Sequence, residues 1–384
     1  MGIFRAGPVR VESWAPRSAS LSWRSFDFTA TGCALLLTCF GLAMAYSNSV
    51  DPSHSIPTMN SPFARGILWT VVAIVVFIAA ASFDYKWLRS LSWPLYLVNL
   101  VLLGMTLVIG TGVGDATGAA RWINLGPIQF QFSELAKIIM IIVLADYLCR
   151  RREKIESLWT IVGAGLVILP PWVLVVLQPD LGTSLVLMAI TIGMLFVSGA
   201  SLMWIGTVLA AAAAAMPLAW GHLRQYQQAR ILAFLHPGSD PQNAGYQLTQ
   251  AQHAVEAGGM WGKGLTNGTA ALPVQTTDFV WGVLAEELGF AGSMVVLFLF
   301  AVLLWRLVIS AWRSTDPLAM LTGAGLASLI LFQVVVNVGM VIGLMPVTGI
   351  PLPFVTHGGA SLVSLALGLG VVQSMNLRKH QLDW

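Results

Sequence analysis

Residues 273–305 read PVQTTDFVWGVLAEELGFAGSMVVLFLFAVLLW. From Phe279 to Trp305 the run carries no charge except Glu286 and Glu287. A helix needs about 20 apolar residues to cross a bilayer, so this run predicts a membrane span. Asp278 stands where the polar loop ends and the span begins. Three carboxylates close to one end of so apolar a segment raise the question of which serve the fold and which serve chemistry.

The rest of the chain has the same character. Its 384 residues are 57% hydrophobic and 10% charged, where soluble domains carry about 25% charged residues. This is the composition of a polytopic membrane protein. The net charge is +3, and beyond Arg150, Arg151 and Arg152 there is no basic run, which argues against nucleic-acid binding. Cys33, Cys39 and Cys149 show neither pairing nor metal spacing and read as small core residues. The first 25 residues hold four arginines but no short apolar region with a cleavage site, as expected of an uncleaved cytoplasmic tail.

Ten apolar runs, some of them short, are counted as spans: about 26–47, 66–83, 93–111, 134–149, 158–177, 183–199, 203–220, 279–305, 320–345 and 360–377. Pro170 and Pro171 predict a kink or break in the fifth. Cytoplasmic loops are enriched in Lys and Arg. With the N-terminus inside, Arg5, Arg10, Arg17, Arg24, Lys86, Arg89, Arg150, Arg151, Arg152, Lys154, Arg306, Arg313, Arg378 and Lys379 fall inside, fourteen of the 20 basic residues. The expected fold is therefore an all-α bundle of ten spans with both termini inside. It divides into a tail at 1–25, one transmembrane domain at 26–377 and a tail at 378–384, with a large outer loop at 221–278.

The ionisable groups that this topology leaves unexplained gather outside. In GDATGAARWINLGPIQFQFSELAK (114–137), Ser133 is placed to cap the next helix, with Glu134 in its first turn. Glu134 and Lys137 are three apart and share a face, as a local ion pair or as a polar rim on a cavity. Asp180, in QPDLGTS (178–184), reads as an N-cap of the sixth span or as a group facing a shared cavity. In the long loop, Leu248, Ala251 and Val255 lie at helical spacing opposite Gln247, Gln250 and His253, which predicts an amphipathic interfacial helix ended by Gly258 and Gly259. MPVTGIPLPFVTHGGAS (345–361) is apolar yet too rich in proline and glycine for a helix, which predicts a re-entrant segment; its His357 reads as a structural hydrogen-bonding group. No phosphate-binding glycine loop, HExxH, GxSxG or zinc spacing is present.

Taken together, GAARWINLG, SELAK, QPDLGTS, DPQNAGYQ, GKGLTNGT, TDFVWGVLAEELG and GMVIGLMPVTGIPLPF resemble the signature segments of the SEDS family. They follow the family's order over nearly the whole chain, and MPVTGIPLPF is most similar to its RodA-like, cell-elongation branch rather than to FtsW. The resemblance implies a glycosyltransferase of the bacterial cytoplasmic membrane that polymerises lipid II on the outer face. It implies a class B penicillin-binding protein as partner, with MreC and MreD nearby. It makes Asp278 of the TDF motif the essential aspartate and points to Arg121, Glu134, Lys137 and Asp180 as site residues. The chain departs from the family pattern at Phe132, Val274, Thr276 and His357.

The chemistry so implied requires a base to take the proton of the attacking hydroxyl, and Asp278 is the candidate. It also requires positive charge at the leaving pyrophosphate. Arg121, Lys137, Arg230 and Lys263 are the available cations, with Arg121 and Lys137 preferred. A divalent ion, Mg²⁺ or Mn²⁺, would take oxygen ligands from Asp278 or Asp180. The competing readings are a flippase for a lipid-linked precursor and a scaffold without catalysis. Read from position alone, Asp278 would be an N-cap of the eighth span. Helix geometry puts Glu286 and Glu287 about 12–14 Å further along that helix and turned about 80° and 180° from Asp278. Three acids so arranged cannot form one cluster, and Glu286 and Glu287 are expected to be neutral, paired or turned to the bundle interior.

Overall fold

The computed structural model describes residues 25–49, 61–111, 121–125, 128–221, 227, 228, 230, 232, 234, 244–268, 279–356 and 358–378. Each of the ten apolar runs forms a helix: α1 Phe28–Ser47, α2 Pro62–Ser82, α3 Trp87–Ile109, α4 Phe132–Arg150, α5 Leu158–Leu177, α6 Leu181–Val197, α7 Leu202–Trp220, α9 Val280–Trp312, α10 Pro317–Val341 and α11 Gly359–Leu377. A further helix, α8 (Ala244–Gly258), belongs to the long loop. Two three-residue strands, β1 (Ile123–Leu125) and β2 (Ile128–Phe130), make a small antiparallel hairpin between α3 and α4, with Ile123 opposite Phe130. The fold is a multi-pass helical bundle, and among the described residues seven helices are long and apolar enough to cross a membrane.

The bundle is built around α4. Every residue from Ala136 to Asp146 is buried, and α4 packs against α3, α5, α6, α10 and α11. A helix carrying Glu134, Lys137 and Asp146 cannot face lipid without a large desolvation cost, so its central position follows from its sequence. Hydrophobic driving force between helices is absent in lipid, and small residues that permit close contact take its place. At Gly325 of α10 a Cβ would come within 2.7 Å of Ile141 on α4 and 2.9 Å of Met194 on α6. At Gly370 of α11 it would lie 2.7 Å from the backbone oxygen of Phe77 on α2.

The two ends of α1 calibrate the bundle. At one end, Asp27 caps α1 through the Ala30 amide and holds Arg306 of α9 at 3.0 Å. At the other end, the Ser47 hydroxyl donates to the Glu287 carboxylate of α9. The distance from Glu287 to Arg306 along a helix is about 28 Å at 1.5 Å per residue, the thickness of a bilayer core. The run 279–305, read from sequence as one span, therefore overshoots α1: residues before Glu287 lie beyond it. Val280–Ala285 is apolar because protein covers it on all sides, and burial of that kind cannot be told from a membrane span by composition.

The Asp27 end is closed by paired charges. Asp146 binds Arg150 at 2.9 Å, Arg89 at 3.7 Å and the Ser92 hydroxyl at 2.8 Å. Arg378 reaches Asp84 at 3.8 Å and donates to the Ser82 carbonyl at 2.7 Å. Burial, and then the Asp316 carboxylate that it hydrogen-bonds, push the Tyr85 phenol above its ordinary pKa.

Three expectations are corrected here. Pro170 and Pro171 do not break α5, which runs through both; prolines are tolerated in membrane helices where neighbours satisfy the freed carbonyls. Ser133 does not cap α4, because the cap position falls on Gln131 and the Ser133 hydroxyl bonds elsewhere. The apolar face of α8 (Leu248, Ala251 and Ala254) is buried on α9 and α10, so it packs on protein. The segment after α10 is non-helical and buried as expected, with Ile350, Leu352 and Val355 almost wholly enclosed. Asn337 of α10 donates to the Ile350 carbonyl at 2.7 Å and helps to satisfy this irregular backbone. His357 lies outside the described residues.

Candidate active site

At the Ser47 end two polar assemblies are built from distant parts of the chain. The first joins the β-hairpin to the α5–α6 turn. Thr111 and Trp122 exchange backbone hydrogen bonds of 2.7 and 3.2 Å, which fixes the entry to β1. Arg121, the residue before, is thereby aimed at the turn. Its Nε donates to the Gln178 carbonyl at 3.3 Å and its Nη2 to the Pro179 carbonyl. Both acceptors are neutral. Among the described residues its charge has no carboxylate partner.

Asp180 follows as the N-cap of α6. Its Oδ1 accepts from the Thr183 amide at 3.1 Å, and its Oδ2 accepts from Gln131 Nε2 at 3.0 Å and the Ser133 hydroxyl at 3.2 Å. These bonds tie the start of α6 to the start of α4. Asp180 is buried, and three of its acceptor positions serve the fold. Among the described residues no three Asp, Glu, His or Cys side chains converge on a metal position.

One turn into α4, Lys137 Nζ lies 2.7 Å from Glu134 Oε2, with the two side chains 3% and 5% exposed. The i,i+3 spacing brings them together, as the sequence predicts. A buried ion pair persists only when each charge compensates the other, so Lys137 is less available to a phosphate than its sequence position suggests.

The second assembly surrounds a break in α9. Gly289 adopts φ 67°, ψ −169°, inside what is otherwise a 33-residue helix. In an unbroken helix the amides of Phe290 and Ala291 would donate to the carbonyls of Glu286 and Glu287. Here the loop after α8 supplies all four missing partners. The carbonyls of Gly259 and Met260 accept from Phe290 and Ala291 at 2.9 and 3.0 Å, and the amides of Lys263 and Gly264 donate to Glu286 and Glu287 at 3.0 Å each. This close insertion needs glycine on both sides. A Cβ at Gly262 would lie 2.2 Å from the Glu287 oxygen, and one at Gly289 would lie 2.2 Å from the Gly262 nitrogen.

Side chains repeat the same connection. Lys263 Nζ lies 2.7 Å from Glu286 Oε1. Ser47 bonds Glu287, and the Thr266 amide donates to the Ser47 hydroxyl at 3.0 Å. The two glutamates are thus buried and partnered, as helix geometry required. Lys263, expected among the cations for a phosphate, is committed to Glu286. Sequence reasoning left these partners unidentified because Ser47 and Glu287 are 240 residues apart.

Arg230 is half-buried in the stretch after α7. Asp278 lies outside the described residues. The residue after it, Phe279, is buried and occupies the N-cap position of α9 without a side-chain cap hydrogen bond.

Comparison with known proteins agrees with this architecture. A family model for cell cycle proteins of the FtsW/RodA/SpoVE type matches residues 28–381. The chain is 35% identical over 325 residues to the peptidoglycan glycosyltransferase MrdB of Escherichia coli, covering 83% of this chain and 86% of that one. It is 34% identical over 359 residues to a probable peptidoglycan glycosyltransferase FtsW of a Geobacter species, covering 92% and 97%. Its structure resembles a chain of a solved peptidoglycan synthase complex that coordinates polymerisation and crosslinking, with TM-score 0.79, 32% identity and coverage of 94% and 100%.

Proposed function

The chain belongs to the FtsW/RodA/SpoVE family of cell cycle proteins, and on that premise we propose that it is a peptidoglycan glycosyltransferase polymerising lipid II at the outer face of the cytoplasmic membrane. The observation that carries the reading is the match over residues 28–381, which includes every candidate site residue. Ten spans with both termini inside fit the charge census. The Ser47 end, with Arg121 and the α9 break, is then the outer end.

In the proposed reaction the C4 hydroxyl of an acceptor sugar attacks the anomeric carbon of the donor, and the bond to the lipid pyrophosphate breaks. Asp278 takes the hydroxyl proton. Arg121, whose charge no described carboxylate cancels, faces the negative charge that develops on the leaving pyrophosphate. Lys137 and Lys263 act through Glu134 and Glu286 and support the site's architecture. Asp278 and Asp180 are the carboxylates expected to hold Mg²⁺ or Mn²⁺, and such an ion would neutralise charge on the pyrophosphate. The resemblance to the elongation branch supports a role in cell shape. The likeness to a synthase complex supports a class B penicillin-binding protein as partner, with MreC and MreD as further candidates.

The test is polymerisation of purified lipid II by the purified protein, alone and with its transpeptidase partner, for wild type and Asp278→Ala. Glycan from wild type only is the expected result. Glycan from both would remove Asp278 from the mechanism. No glycan from either, with lipid transfer across liposomes intact, would establish the flippase.

A further inference from the structure

We propose that the inner ends of α3, α4 and α5 form a binding site for the headgroup of an anionic phospholipid. The site is separate from the proposed reaction and does not depend on it; the orientation adopted above places it in the inner leaflet. The three helices pack on one another, and the Tyr96 hydroxyl of α3 donates to the Val167 carbonyl of α5 at 3.0 Å. At their inner ends two arginines share one acid. Asp146 is 1% exposed and holds Arg150 Nε at 2.9 Å and Arg89 Nε at 3.7 Å, while each arginine side chain stays 53% exposed. One carboxylate balances only one of the two charges. Both contacts use Nε, and among the described residues the terminal nitrogens of the two guanidinium groups hold no acceptor. Arg151, next in the chain, adds a third exposed guanidinium, 5.2 Å from the centre of the Tyr147 ring. Of the nearest other acids, Asp84 faces Arg378 and Glu153 is followed by the exposed Lys154, so the surplus is positive.

Away from this rim the same helices present hydrocarbon. On α3, Arg89, Trp93, Leu97 and Val101 recur every fourth residue and all are exposed, so they form one slowly turning stripe. From Arg89 to Val101 it runs about 18 Å, close to the depth of one leaflet with its headgroup zone, about 20 Å. The order along the stripe is that of a phospholipid: charge, then an indole suited to the interface, then aliphatic side chains. On α5, Trp159, Val162, Leu166 and Leu169 are exposed along a second stripe that starts at the same end. An arginine fork takes phosphate oxygens through two N–H groups, and a basic pocket between helices on the cytoplasmic side suits a lipid headgroup. The surplus positive charge favours a phosphodiester that carries no ammonium group over a zwitterionic one.

The experiment is native mass spectrometry of the full chain in detergent. It is titrated with phosphatidylglycerol, with phosphatidylcholine of the same acyl chains, or with glycerol phosphate as the headgroup alone. Wild type is expected to retain phosphatidylglycerol at least about tenfold more tightly than phosphatidylcholine, and glycerol phosphate is expected not to displace it. An arginine beside an anionic headgroup contributes about fivefold in affinity. Arg89→Gln is therefore expected to weaken phosphatidylglycerol binding about fivefold, and Arg89→Gln with Arg151→Gln about 25-fold, with phosphatidylcholine unchanged. Arg150 stays on Asp146 in both variants, so the buried acid is not stranded. The control is Arg313→Gln, an equal loss of charge at an exposed position after α9, on the same membrane face and outside the site. Equal affinity for the two lipids would overturn the proposal. So would equal losses in Arg313→Gln and Arg89→Gln, which would reduce the effect to general surface charge. Displacement by glycerol phosphate at matched concentration would overturn it in favour of a site for free phosphate. Arg151→Gln alone lies outside the Asp146 pair and keeps the test decisive if Arg89→Gln does not fold.

Discussion

Replacing Gly289 by alanine should destabilise the protein severely, and the size of the effect can be worked from the break in α9. At φ 67°, ψ −169° the backbone is in a region open almost only to glycine, which costs an alanine about 1–3 kcal/mol. The new Cβ would also meet backbone atoms: Gly262 nitrogen at 2.2 Å, Trp261 carbonyl carbon at 2.6 Å and Met260 oxygen at 2.8 Å. None of these can rotate away, so the loop must lift and stretch the hydrogen bonds that fill the break. A hydrogen bond contributes about 0.5–1.5 kcal/mol net, and losing two brings the total to about 2–6 kcal/mol. The assay is the thermal unfolding midpoint in detergent, with hydrogen exchange at Phe290 and Ala291 as the local readout. The control is Gly165→Ala in α5, where an added Cβ meets nothing within 4 Å; alanine favours a helix by up to about 1 kcal/mol there. Gly289→Ala melting with wild type, or alongside Gly165→Ala, would refute the reasoning.

Two further predictions concern the first assembly. Lys137→Met strands the buried Glu134 charge and should cost about 3–5 kcal/mol, whereas Glu134→Gln combined with Lys137→Met should recover most of it, because a buried pair replaced whole is close to neutral; a double-mutant cycle on unfolding midpoints checks this. Asp180→Ala removes an N-cap and two side-chain partners and should cost about 2–4 kcal/mol. Asp180→Asn keeps an oxygen for the Thr183 amide and should lose less, by the same measurement.

The positions of the ten long helices were legible because an apolar run of sufficient length leaves the backbone few alternatives. The Glu134–Lys137 pair was legible because it is a matter of spacing within one helix. Where the sequence misled, the cause was non-local. The run 279–305 looks uniform, yet Val280–Ala285 is apolar for protein contact and the residues after Gly289 for lipid. Within the run only Glu286, Glu287 and one glycine among several stand at the change. Ser133 has the chemistry of a cap, but a buried carboxylate on another helix, Asp180, claims its hydroxyl. Lys263 looked like a free cation because Glu286, its partner at 2.7 Å, lies on a helix that follows a whole loop later.

The break in α9 also bears on how the chain enters the membrane. Lying level with the end of α1, it strips two amides and two carbonyls of their helical partners, and each such group costs several kcal/mol in hydrocarbon. The loop that supplies the substitutes is made first, since 259–264 precede 286–291 in the order of synthesis. When the helix leaves the ribosome its missing partners are already waiting, so the insertion machinery need release only a loop-and-helix unit whose backbone is complete. An earlier release would expose bare peptide groups to lipid, and defects that delay docking of the loop should appear as degradation during biogenesis before they appear as lost catalysis.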